Sequence, residues 1–157
     1  MPVHAPVDVG DEAPDFELRD QHNQPVRLSD YRGKRHVTVL FYLWAFSTVC
    51  DRELCAIRDD LAAFHNERAA LLAVSCDAPP VHRRQVEEDG YAFPLLSDFW
   101  PHGEVAGRYG VFDRRFGVAR RATFLVDRDG FVRYATVNEV AEPRDPAALK
   151  AAIAALG

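Results

Sequence analysis

Three cysteines, Cys50, Cys55 and Cys76, are the side chains of this 157-residue chain best suited to nucleophilic or redox chemistry. Cys50 stands apart by position. Residues 36–42 (HVTVLFY) read as an apolar strand that breaks at a short loop holding Ala45, Ser47 and Thr48. Apolar residues at Val49, Leu54, Ile57, Leu61 and Phe64 then recur at close to 3.6-residue spacing, which predicts a helix over 48–67. Ser47 or Thr48 suits the N-cap, so Cys50 falls in the first helical turn. Free N–H groups and the positive end of the helix favour an anion there. A thiol at a helix start, beside a basic group, can ionise at ~3.5–7.5 instead of ~8.5. The thiolate is the attacking form, so Cys50 is the candidate nucleophile. Free cysteines are also among the most buried residue types, and position alone fits a buried, inert Cys50 equally well.

The elements that must hold this cysteine can be read along the chain. Residues 1–14 are proline-rich and read as an extended lead-in. Residues 16–18 and 26–28 alternate apolar and polar around a turn at 20–25, which predicts an N-terminal β-hairpin. A short helical turn over 29–33 ends at Gly33. After the long helix, residues 70–75 form an apolar run of strand length, so strand, helix and strand make a βαβ unit with a parallel pair. Pro79 and Pro80 open a helix over 81–89 that Gly90 closes. A short apolar segment at 93–97, a turn at 100–103 and a short helix to 109 follow. Strands at 121–127 and 131–137 meet through Asp129-Gly130, a strong hairpin cue. Pro146 can start a C-terminal helix over 145–156. The pattern is an α/β fold: a central mixed β-sheet flanked by helices, with an N-terminal hairpin.

Length suits a single domain over 1–157, and no repeat or linker divides it. Apolar content of 48% with 27% charged residues is ordinary for a soluble globular protein. A net charge of -5 and the lack of any basic run argue against nucleic acid as partner. No apolar stretch approaches the ~18–20 residues that span a membrane. The N-terminal residues lack the basic and apolar regions of a signal peptide, so the expected location is cytoplasmic, where cysteines stay free or redox-active. The cysteines lack paired zinc spacing and the histidines form no His-x-x-x-His pair, so neither a metal nor another cofactor is expected.

Strand, loop, hydroxyl, cysteine and helix together resemble the active-site segment of the peroxiredoxins, the AhpC/TSA superfamily. Their motif Pro-x-x-x-Thr/Ser-x-x-Cys aligns with Leu43-Trp-Ala-Phe-Ser47-Thr-Val-Cys50, and Leu43 stands where the motif has proline. Glu53 matches a recurring position. Arg121-Ala-Thr-Phe-Leu-Val-Asp127 fits the second signature, an arginine before a strand. Blocks at 13–20, 93–102 and 109–112 agree in order and spacing, so the resemblance covers about residues 7–156. It is closest to the one-cysteine alkyl hydroperoxide reductase E type of actinobacteria. This resemblance implies a thioredoxin-like fold and a thiol-dependent peroxidase acting on hydrogen peroxide, organic hydroperoxides or peroxynitrite. Cys50 would become a sulfenic acid that a thiol must reduce before further oxidation. Ser47 would bond the peroxide or the sulfur, Arg121 would pair with both, and Glu53 would orient Arg121. Leu43, Trp44 and Phe46 would form the substrate pocket. Read without the resemblance, Ser47 is a cap and Glu53 a favourable acidic residue in the first turn. Arg120 and Arg121 are then surface charges, and Trp44 and Phe46, which would otherwise line the site or a subunit contact, are plain core packing.

Cys50-x-x-x-x-Cys55 also resembles the resolving pair of some bacterioferritin-comigratory-type peroxiredoxins. In a helix, position i+5 lies ~140° around and ~7.5 Å along the axis. That exceeds the ~7 Å Cα separation a disulfide tolerates. A Cys50–Cys55 bond therefore needs the first turns of the helix to unwind; otherwise one cysteine works with an external thiol. Cys76 reads as a buried filler. The resemblance implies reduction by a small thiol or a thioredoxin- or glutaredoxin-like protein, mycothiol with mycoredoxin in actinobacteria, and a homodimer built around the active-site edge. Two other readings stand beside it. A thiol–disulfide oxidoreductase would carry Cys-x-x-Cys, but position 53 is Glu53. A non-catalytic relative is the reading that Leu43 suggests.

Overall fold

Every residue of β3 (His36–Phe41) and β4 (Ala69–Ser75) is buried, as expected of strands covered on both faces. The computed structural model describes residues 5–157, so the first four residues of the expected lead-in lie outside the described residues. The expected hairpin is β1 (Glu17–Arg19) with β2 (Pro25–Arg27). The first long helix is α1 (Thr48–Asp59), and after β4 come α2 (Pro79–Asp89), β5 (Leu95–Ser97) and α3 (Glu104–Arg108). A small antiparallel pair, β6 (Phe112–Asp113) and β7 (Val118–Ala119), precedes the hairpin of β8 (Arg121–Val126) and β9 (Val132–Asn138); α4 (Pro146–Leu156) ends the fold.

The seven-stranded sheet runs β2-β1-β5-β4-β3-β8-β9. Pairs β3/β4 and β4/β5 are parallel, while β3/β8 and β8/β9 are antiparallel. This mixed sheet with helices on its faces is the thioredoxin-like arrangement. Alternation along β3 splits the core in two. Val37, Val39 and Phe41 face a cluster with Tyr109 and Phe124, whereas Leu40 faces Leu54, Ile57, Leu149 and Ile153 of α1 and α4.

The helix expected over 48–67 stops at Asp59. Asp60 leaves helical geometry (φ -127°, ψ 39°), and a 3₁₀ turn over Leu61–Ala63 follows. Asn66 closes that turn, donating from Nδ2 to the Ala62 carbonyl at 2.8 Å and accepting from the backbone N–H groups of Arg68 at 2.8 Å and Ala69 at 3.1 Å. Phe64 stays buried, so the apolar period continued past the point where the backbone had left the helix. Gly90 closes α2 in the left-handed region as expected (φ 69°), and Asp145 caps α4 by accepting from the N–H groups of Ala147 and Ala148. No helix among the described residues is long and apolar enough to cross a membrane.

Candidate active site

Strand directions bring the site together. Chain leaves β3 at Phe41 and enters α1 at Thr48. Strand β8 runs the opposite way, with Ala122 opposite Phe41, so Arg121 at its start lies beside the end of β3. It shares the parity of Thr123 and Leu125, and Leu125 faces the α1 side of the sheet. Cys50, third residue of α1, is fully buried there.

Arg121 is 2% exposed, although arginine is almost never buried unless paired. Its partners account for it. Nη1 donates to Cys50 Sγ at 3.5 Å and to Glu53 Oε1, while Nε and Nη2 both donate to the Val140 carbonyl, at 3.3 and 3.0 Å. Glu53, its side chain 11% exposed, is shared with a second arginine. Arg144 donates to Glu53 Oε2 from its backbone N–H at 2.9 Å and from Nε at 3.2 Å. Its Nη1 reaches the Ala122 carbonyl and Thr123 Oγ1, both at 3.3 Å, and Nη2 reaches the Phe41 carbonyl. Burial pushes the Arg144 guanidinium down to about 10, opposed by the Glu53 carboxylate, and it stays charged at neutral pH. Arg144 therefore ties the ends of β3 and β8 to the first turns of α1. It was not singled out in the sequence, because it lies 91 residues from Glu53 in a loop without periodicity. Its only local signal is the flanking Pro143 and Pro146.

Ser47 occupies the N-cap position, but its hydroxyl makes no capping hydrogen bond. Its carbonyl instead accepts from Asp51 N–H at 2.8 Å. Leu43 is buried in the same apolar cluster as Cys50. Trp44 and Phe46 are exposed, so neither packs in the core. The Trp44 ring meets Phe116 edge-on at 6.3 Å. Arg120 is half-buried, and Arg121 is the arginine at the sulfur. Cys55 is not brought to Cys50: the intact helix carries both, and Cys55 Sγ lies 3.6 Å from the Tyr91 hydroxyl. Cys76 is buried, and that burial pushes its thiol up to about 12. A cavity of about 200 Å³ lies behind the cluster, with Glu53 and Arg144 in its wall beside Leu40, Ile57, Tyr134 and Leu149.

A cysteine at a helix start under a buried arginine, at the ends of the inner strands β3 and β8 of a thioredoxin-like sheet, defines a thiol-based redox protein, and known proteins narrow the class. Residues 9–135 match the AhpC/TSA family. Alkyl hydroperoxide reductase E of Mycobacterium tuberculosis is 47% identical over 150 residues, which span 96% of this chain and 98% of that protein. The crystal structure of peroxidoxin BcpB from M. tuberculosis superimposes with a TM-score of 0.86 at 30% identity, covering 96% of this chain and 99% of that one. The reduced 2-Cys peroxiredoxin of Plasmodium vivax gives 0.84 at 30% identity, over 96% and 82% of the two chains. The chain belongs to the AhpC/TSA family and is a thiol-dependent hydroperoxide reductase, a peroxiredoxin.

Proposed function

We propose that Cys50 is the sulfur oxidised by peroxide in this enzyme. The reading rests on the contact of Arg121 Nη1 with Cys50 Sγ at 3.5 Å, inside a buried cluster of two arginines and one glutamate. Glu53 offsets only one of the two guanidinium charges. A thiolate at Cys50, or negative charge developing on the departing oxygen, offsets the other. In the reaction the thiolate attacks the terminal oxygen of a hydroperoxide. An S–O bond forms, the O–O bond breaks and the sulfur loses two electrons. The second oxygen leaves as hydroxide or alkoxide and takes a proton to give water or an alcohol. Arg121 stabilises that departing charge. The uncommitted hydroxyl of Ser47 donates to the peroxide or the sulfur, and Glu53 and Arg144 keep Arg121 in place. Leu43 shields the sulfur as the motif proline would, while Trp44 and Phe46 flank the approach.

Hydrogen peroxide, organic hydroperoxides and peroxynitrite all suit this chemistry, and the name of the 47%-identical relative favours a hydroperoxide. The sulfenic acid is then reduced by an external thiol, a small one such as mycothiol with mycoredoxin, or a thioredoxin-like protein. The intact helix between Cys50 and Cys55 supports this one-cysteine cycle over a resolving role for Cys55. We read the chain as one catalytic domain acting in the cytoplasm as a homodimer. In support of the dimer, Trp44 and Phe116 are exposed near the site, and His102, with Nε2 at 2.7 Å from the Gly117 carbonyl and its ring edge-on to exposed Phe99 at 6.2 Å, links them to a second exposed aromatic. Reduced protein mixed with one equivalent of hydroperoxide and no thiol should consume it, and Cys50→Ser should leave it unconsumed. Consumption undiminished in Cys50→Ser would overturn the assignment.

A further inference from the structure

The loop 42–47 that walls the sulfur is held by Asp77, a residue outside the Cys50–Arg121–Glu53 cluster. Strand β4 ends beside the end of β3, with Val74 opposite Phe41, so the residues after β4 lie beside the loop 42–47. Asp77 Oδ2 accepts the backbone N–H of Ala45 at 2.8 Å, midway between Leu43 and Ser47. The same oxygen accepts from the Ser75 hydroxyl at 2.7 Å. Since a carboxylate only accepts, Ser75 spends its one proton on Asp77. The fully buried His82, with Nε2 at 2.6 Å from Ser75 Oγ, must then be the donor to it. Ser97 Oγ donates to the Asp77 carbonyl at 2.6 Å, and Asp98 N–H to the Ser75 carbonyl at 2.8 Å. The platform is therefore fixed from α2, β4 and β5.

The loop needs such an anchor. Phe46 sits at φ 63°, a region that bulky side chains avoid, and this geometry persists only where the surroundings impose it. Leu43 also leaves the loop without the φ restriction that a proline would supply.

We propose that Asp77 is a positioning residue of the peroxidase: through Ala45 N–H it holds the loop that sets Leu43 and Ser47 against the Cys50 sulfur. The proposal rests on Cys50 as the reacting sulfur. Peroxide attack needs the loop and the hydroxyl in place, whereas alkylation needs only the sulfur. Two rates therefore separate positioning from general damage: Cys50 oxidation by hydrogen peroxide and Cys50 alkylation by iodoacetamide. For Asp77→Ala the peroxide rate constant should fall at least about tenfold, in keeping with the ~100-fold loss that a 1 Å misplacement can bring, with alkylation within about twofold of wild type. Asp77→Asn keeps an oxygen acceptor and should recover the rate to within about threefold of wild type. Ser75→Ala, which keeps the carboxylate but frees it on one side, should show the same selective loss at about threefold, and it decides the matter if Asp77→Ala does not fold. Unchanged peroxide rates, or peroxide and alkylation rates falling in parallel, would overturn the proposal while leaving Cys50 as nucleophile. A wild-type protein whose Cys50 ignores peroxide would overturn both.

Discussion

Arg121 and Arg144 share one carboxylate yet do different things. Arg121 touches the sulfur, and Arg144 touches Glu53 and the backbone of two strands. Their losses should therefore separate. Arg121→Gln removes the guanidinium that donates to Cys50 and should lower the second-order rate with hydroperoxide by ~10²–10³, as removal of a preorganised charge donor does. Arg121→Lys should recover little, since an ammonium cannot reach sulfur, Glu53 and the Val140 carbonyl together. Arg144→Gln should lower the rate much less but destabilise the fold by ~3 kcal/mol, as breaking a buried pair does. Stopped-flow oxidation and urea unfolding of the three variants measure this. Equal damage to rate and stability in all of them would erase the distinction.

At the scale of elements, the site depends on where strands end. The sequence made the apolar strand over 36–42, the helix start and the strand at 121 legible, because each carries a period or a capping signal. Cys50 and Arg121 could thus be placed. The Glu53–Arg144 pair and the Asp77–Ala45 bond could not, because both are made by loop residues whose partners lie 91 and 32 positions away. The helix boundary at Asp59 was hidden as well, since Leu61 and Phe64 keep the helical apolar period through a 3₁₀ turn.

The stability that His82 of α2 confers depends on pH. Burial holds its imidazole down at about 4, with Asp77 opposing the shift, against 6.5 in an unfolded chain. A depressed folded value means that the unfolded chain binds more protons below 6.5. The stability is therefore fully present above pH 6.5 and is lost as pH falls towards 4. Between pH 7 and 4.5 the loss should be about 2–3 kcal/mol. Asp98, which burial raises to about 6, works in the opposite sense, losing stability as pH rises through that value. The comparison with His82→Gln isolates the histidine, because glutamine still donates to Ser75 but does not titrate. Urea midpoints should lie further apart at pH 7 than at pH 4.5. A constant gap would contradict the assignment.

For the whole molecule, the exposed aromatic edge is the feature that a lone subunit leaves unexplained. Trp100 is 82% exposed beside exposed Phe99, and exposed apolar surface of this kind commonly marks an interface. Sedimentation equilibrium should give a dimer for the wild type, and Trp100→Glu with Phe116→Glu should shift it towards monomer. A monomeric wild type at micromolar concentration would contradict the dimer. The parallel β3/β4 pair, the two hairpins and the position of α1 follow from patterns spread over the chain, which is why the fold class could be read from the sequence, whereas the strand order could not. The aromatic surface could not, because Trp44 and Phe116, 72 positions apart, meet only once the β6/β7 pair is placed near the start of α1.

Reduced protein should be mixed with one equivalent of hydroperoxide in the presence of a sulfenic-acid trap, and its mass and modified peptide determined. The trap should add once, on Cys50, with Cys55 and Cys76 still reduced. Oxidation mapped to another cysteine, or none at Cys50, would contradict the account.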